Sequence, residues 1–124
     1  MMSRERKKID SLFEQLMNSK SIRFPSAGRQ LDAPTDKGVY VIFGKKGVAL
    51  HVGRTPRAKY GIQQRLRAHL SGNSSFVRIY LGGNVSQLRN GHRYKYIIVE
   101  DARHRALLEA HAVGQLLPKH IGVG

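Results

Sequence analysis

Residues 38–53 constrain the fold more than any other stretch of this chain. Gly38 to Phe43 and Val48 to Gly53 are two short runs rich in β-branched and aromatic residues, joined by Gly44-Lys45-Lys46-Gly47. Two such runs across a glycine-bounded turn read as an antiparallel β-hairpin. With residues 44–47 as the loop, Phe43 falls opposite Val48 and Tyr40 opposite His51. Side chains alternate between the faces of a strand. One face then carries Val39, Val41, Phe43, Val48, Leu50 and Val52, a wholly apolar set that must pack. The other presents Tyr40 and His51 side by side. The assumed turn fixes this register, and a slip of one residue would exchange the faces.

The rest of the chain supplies helices and a further strand. Residues 4–18 read as an amphipathic helix: Ile9, Leu12, Phe13, Leu16 and Met17 recur at helical spacing behind a basic first turn. Residues 21–37, with Pro25, Gly28 and Pro34, read as a connector. A helix is expected over about 60–71, with Ile62, Leu66 and Leu70 as its apolar stripe and Arg65 and His69 at the stripe's edge. Residues 74–91 fit either a short helix or a strand, and Asn90-Gly91 is a turn signal. Arg93 to Val99 reads as a third strand, and residues 101–117 as a closing helix stopped before Pro118. The expected fold class is therefore α+β, an α/β sandwich with a small three-stranded antiparallel sheet flanked by helices. Its parts are an N-terminal basic helix (1–20), the connector (21–37) and a main domain (38–124), together one compact unit.

Lys and Arg number 22 against 8 Asp and Glu, a net charge of +14. Such a surplus repels itself in a compact state and is matched by an anionic partner, nucleic acid first. A membrane partner is not expected, because the basic residues are spread along the chain and no apolar run is long enough to span a bilayer. Without a signal peptide, a cytoplasmic location is the default expectation. The chain has no cysteine, which excludes disulfides and thiolate metal sites. It also has no Walker-type phosphate loop, no Gly-x-Ser-x-Gly elbow and no HExxH pattern. His92 and His120 read as surface or substrate-contact residues without an assignable role.

Five side chains carry chemistry. Tyr40 and His51 share the presented face of the hairpin. Arg65 and His69 are four apart on one helical face. Glu109 has Arg105, Ala106, Ala112, Val113 and Leu116 as its helical neighbours, so its carboxylate projects from a face expected to pack. An unpaired buried carboxylate costs several kcal/mol, so Glu109 needs a partner. Two remain open: Arg105 one turn earlier, or Mg²⁺, a hard ion held by one or two carboxylates plus water and phosphate.

Taken in order, these residues resemble the GIY-YIG nuclease superfamily. Gly38-Val39-Tyr40 is similar to its first motif and His51-Val52-Gly53 to its second. Gln64 to His69 resembles the helix bearing the family's arginine, and Leu107-Leu108-Glu109-Ala110 the helix bearing its metal-binding glutamate. The resemblance spans residues 38–120. It departs at His51, where tyrosine is usual, in the longer segment from Gly53 to Arg65, and near Lys119-His120-Ile121, where the family often has asparagine.

The resemblance implies a Mg²⁺- or Mn²⁺-dependent endonuclease with one ion per active site, hydrolysing phosphodiester bonds in nucleic acid, with DNA expected ahead of RNA. Glu109 would hold the metal, and Arg65 would neutralise charge on the phosphoryl oxygens. Tyr40 would deprotonate or position the attacking water, with His51 as its helper and His69 as a second proton acceptor. Lys45, Lys46, Arg54, Arg57, Lys59 and Arg67 would hold the nucleic-acid backbone. Double-strand cleavage would call for a dimer or sequential nicking. The departures support an alternative, a GIY-YIG-like nucleic-acid-binding module with an inactive site. A basic adaptor for a protein or ribosomal partner is the third reading.

Overall fold

The computed structural model describes residues 3–55 and 59–122. Its elements in chain order are α1 (Arg4–Met17), β1 (Ile22–Arg23), β2 (Gly38–Phe43), β3 (Ala49–Arg54) and α2 (Gly61–Leu70). A π-helical turn (Phe76–Tyr80), α3 (Ser86–Arg89), β4 (Arg93–Ile98) and α4 (Ala102–Leu116) follow. The sheet is antiparallel with the order β1-β4-β2-β3. It has four strands where the sequence suggests three. The added strand lies in the expected connector, as Ile22 and Arg23 pair with Tyr94 and Arg93.

The helices start and stop at side chains suited to it. Ser3 accepts the Arg6 N–H at 3.0 Å, and Asp101 accepts the His104 N–H at 2.9 Å, each relieving an orphan donor of a first helical turn. Leu117, in the left-handed region at φ 47°, ends α4 just before Pro118. α2 starts differently: Ile62 and Gln63 N–H groups donate to Asp36 O and Pro34 O, both at 2.9 Å. Gly61 at φ 54° makes this approach possible, because a Cβ there would collide with the carbonyls of Thr35 and Asp36. The connector thereby fixes the helix that carries Arg65 and His69.

The hairpin forms with a different register from the one expected. Tyr40 pairs with Gly53 and Ile42 with His51, while Phe43 pairs with Ala49 across an irregularity. Leu50 is thus an extra residue on β3, a β-bulge. The shift of two between Tyr40 and His51 keeps both on one face, but they are diagonal neighbours. The bulge moves Leu50 into the core cluster containing Tyr40 and Ile42. Ala49 takes its place beside Val39, Val41 and Val52, and Val48 is exposed.

Each face of the sheet has its own core. Val39, Val41 and Val52 pack against Ile9, Leu12 and Leu16 of α1 and Leu108 and Ala112 of α4. An Arg103–Glu5 pair at 2.7 Å also ties α4 to α1. Tyr40, Ile42 and Tyr94 pack against Ile62 and Leu66 of α2, Phe76 and Leu88. Residues 74–91 therefore close the second core as helical turns. Among the described residues, no helix is long and apolar enough to cross a membrane.

Candidate active site

A cleft of about 450 Å³ opens at the β3 edge of the sheet. β3 contributes His51, Gly53 and Arg54 to its lining, α2 contributes Arg65 and His69, and α4 contributes Glu109. The segment after α4 closes one side. Its Lys119 and His120 N–H groups donate to Ala49 O and Leu50 O at 3.2 and 2.9 Å, covering the free edge of β3.

Tyr40 is completely buried beneath this cleft. Its phenol lies directly against Gly53, where a Cβ would coincide with the ring and its hydroxyl. Glycine at the end of the second motif is thus what lets the tyrosine of the first lie flat across the hairpin. Tyr40 Oη is 2.7 Å from His69 Nε2, and His69 Nδ1 is 2.7 Å from Ser74 Oγ. Ser74 Oγ also accepts the Val77 N–H at 3.2 Å. Every polar group in this buried chain has a partner, as a low-dielectric site requires. His69 is therefore Tyr40's hydrogen-bond partner, in place of the His51 that the expected register favoured. His69 also lies within the buried stripe of α2, whereas Leu70 is only half-buried.

Burial sets the protonation of this group. It pushes the Tyr40 hydroxyl up to about 12, with the Arg65 charge opposing. It pushes His51 down to about 4, assisted by His120 and Arg65, and holds His69 well below the usual imidazole range. Tyr40, His51 and His69 are all neutral near pH 7. Among the described residues, the buried His51 Nδ1 and Arg65 Nε have no hydrogen-bond partner.

Glu109 is half-buried, and Arg54 Nη1 donates to its Oε1 at 3.0 Å. Desolvation raises the Glu109 carboxyl, and Arg54 and Arg65 pull it back. Arg105 is not its partner: it is buried and donates through Nη1 to Val99 O and Glu100 O at 3.0 and 2.7 Å. Arg54 is accordingly committed to the carboxylate and not held free for a phosphate. His120, which showed no role in sequence, is 7% exposed and lines the cleft, with Nε2 3.3 Å from Ser75 Oγ. No local pattern announces it, because β3's edge is what holds it there.

The remaining basic residues are scattered. Lys45 and Lys46 are exposed in the hairpin turn, and Lys45 lines a separate concavity with Arg23 and Arg93. Lys59 is exposed beside the Tyr60 ring, and Arg67 is exposed on α2. Arg57 lies outside the described residues.

The donor set fits one hard cation. Among the described residues, no three His, Asp or Glu side chains are grouped to hold a metal. An ion here would take Glu109 as its protein ligand and complete its shell with water and phosphate oxygens, the usual habit of Mg²⁺. The unmatched Arg65 Nε and the half-buried carboxylate supply opposite charges for a phosphate and a cation respectively.

No family model and no curated protein matches the chain. Among solved structures, it is similar to the GIY-YIG N-terminal endonuclease domain of UvrC from Thermotoga maritima bound to magnesium. That likeness has a TM-score of 0.51 and 24% identity and covers 96% of this chain and 97% of that one. An asparagine-to-alanine point mutant of the same domain, bound to its catalytic divalent cation, matches with a TM-score of 0.53 at 23% identity, over 99% and 100% of the two chains. The α+β architecture, an antiparallel sheet flanked by helices, is that of the GIY-YIG endonuclease fold, and this chain has that fold.

Proposed function

We propose that the chain is a Mg²⁺- or Mn²⁺-dependent endonuclease that hydrolyses phosphodiester bonds in DNA. The observation that carries this reading is the convergence of Glu109, Arg65 and the Tyr40–His69 pair on one cleft. Glu109 would hold the divalent ion, which when bound would supply polarisation of the scissile phosphate and stabilisation of the leaving oxygen. Arg65 offers its forked donors to the phosphoryl oxygens as charge grows on them. His51 lines the cleft as a neutral imidazole and is the proton acceptor for the water, whereas both nitrogens of His69 are engaged. An entering phosphate anion offsets Arg65 and raises the basicity of His51. Tyr40 and His69 orient one another and hold the floor of the cleft against Gly53. Lys59, Arg67 and the cations at the hairpin turn add salt-dependent attraction for the backbone.

The test is nicking of supercoiled plasmid and of a branched DNA across a Mg²⁺ and Mn²⁺ titration, with Glu109→Ala beside the parent. Metal-dependent cleavage should fall at least about 10²–10³-fold in the variant, while metal-free binding is retained. Undiminished cleavage by Glu109→Ala removes Glu109 from the metal role. The Arg54–Glu109 pair favours a second reading, a nucleic-acid-binding module whose carboxylate is neutralised internally. Binding without turnover by the parent across metals and DNA forms would establish it.

A further inference from the structure

The π-helical turn Phe76–Tyr80 takes no part in the chemistry above, yet it borders the cleft through Ser74 and Ser75. Its Leu81 N–H donates to Phe76 O, five residues back, at 3.2 Å. Single π turns are frequent at functional sites. This one divides its side chains sharply: Phe76 and Val77 are fully buried, while Ile79 is 64% and Tyr80 43% exposed.

Phe76 stacks on two rings. His51 lies at 5.2 Å between centroids with the planes 14° apart, and Tyr80 at 5.6 Å with the planes 12° apart. Both are offset-parallel contacts in the favourable range. A stack of rings thus runs from the buried His51 to a solvent-facing tyrosine. Tyr80 is 6.4 Å from the His120 ring, which lines the cleft, so the exposed ring stands at the cleft's rim. Ile121, 59% exposed, is an apolar group of the cleft lining itself.

A rigid, pre-oriented aromatic plane beside a phosphate-handling cleft has an obvious complement: a flat π face carried on a polyanion. Nucleobases provide one, and stacking on an aromatic side chain tolerates any base. In a continuous duplex the base faces are covered by their neighbours. An unpaired or single-stranded base leaves its face free and is the cheapest to extrude.

The geometry points to Tyr80 as a stacking platform for an unstacked nucleobase beside the scissile phosphate, so that the substrate class is nucleic acid with an unpaired or single-stranded base there. This rests on the nuclease reading for the place of the scissile phosphate, while stacking is itself a binding property. The platform selects structure, not sequence.

The test measures binding in EDTA by proteins that all carry Glu109→Ala: the otherwise unchanged chain, Tyr80→Phe and Tyr80→Leu. The probes are a duplex with one unpaired 2-aminopurine and a fully paired duplex of the same length. The unchanged chain and Tyr80→Phe should quench the unpaired base. Tyr80→Leu keeps an apolar cover on Phe76 but should lose the quenching, along with about 5- to 100-fold in affinity for that duplex. All three should bind the paired duplex alike. Equal behaviour of Tyr80→Leu and the unchanged chain on both probes overturns the platform, as does an equal loss on both. Cleavage is not read, so a chain that never cuts DNA leaves this outcome intact, and a failed platform leaves cleavage intact.

Discussion

The two faces of the sheet share the same strands and are finished in different ways. Val39, Val41 and Val52 turn to α1 and α4, where aliphatic groups meet aliphatic groups. Tyr40, Ile42 and Tyr94 turn to α2 and the π turn, where the apolar core passes into imidazoles, hydroxyls and a guanidinium. The first face asks only for volume, and several packings satisfy it. The second asks for matched partners, because a buried polar group left alone costs about 1–3 kcal/mol. Stability and chemistry should therefore separate by face, and substitutions can break that division or sharpen it.

Tyr40→Phe carries the largest expected effect. The ring still fits against Gly53, but the hydroxyl that meets His69 Nε2 at 2.7 Å is gone. With the orientation of His69 released, the floor of the cleft is misplaced and single-turnover cleavage should fall by about 10²-fold. Urea unfolding should show a loss of about 1–3 kcal/mol from the unmatched imidazole nitrogen. Cleavage at the parental rate would place Tyr40 in the core alone.

Leu16→Ala is the counterpart on the aliphatic face. Leu16 is fully buried on α1, in the cluster with Val39 and Leu108. Its truncation should cost about 2–5 kcal/mol in denaturant unfolding, a large share of a typical total of about 5–15 kcal/mol. The cleavage rate per folded molecule should stay at the parental value. A matched loss of rate would mean that the two faces are coupled through β2.

pH acts on the mixed face through its buried imidazoles. Unfolded imidazoles titrate near ~6.5, while burial holds His51 at about 4 and His69 well below its usual range. Above the unfolded value neither state binds these protons and stability is complete. Between there and about 4 the unfolded chain takes up protons that folded His51 refuses, so stability falls as pH falls. His51 alone should account for about 3 kcal/mol across that window. His51→Phe, which keeps a ring beside Phe76, should flatten the pH dependence in urea titrations. An equally steep dependence in that variant would transfer it to His69 and the carboxylates.

What the sequence discloses follows the range of the interactions. The hairpin, the helices and the placing of Tyr40 and His51 on one face are written in periodicities of a few residues. Glycine-bounded turn chemistry places the loop but not the bulge, and Leu50 changes face as a result. β1 escapes notice because two residues carry no alternation and pair only through β4. The partner choices Tyr40–His69 and Arg54–Glu109 join positions far apart in the chain, and helical spacing points instead to the nearer Arg105. His120 enters the site through two backbone hydrogen bonds to β3, which favour no residue type at that position.

Tyr94→Phe is the smallest change and the closest control on Tyr40→Phe. Tyr94 lies across from Ile42 on the neighbouring strand, in the same core, and is as fully buried as Tyr40. Its hydroxyl donates to Asp32 O at 2.5 Å, and burial raises its pKa as well. The difference is the partner. A backbone carbonyl takes no proton and changes no charge, so this hydroxyl holds the connector and does nothing else. Its removal should cost about 0.5–1.5 kcal/mol, read as a shifted denaturant midpoint, with cleavage unchanged. Two tyrosines on adjacent strands would then lose the same atom, with consequences for the rate that differ by orders of magnitude. Equal loss of cleavage in both would show that the mixed face works as one mechanical unit, with no special place for the imidazole beside Tyr40.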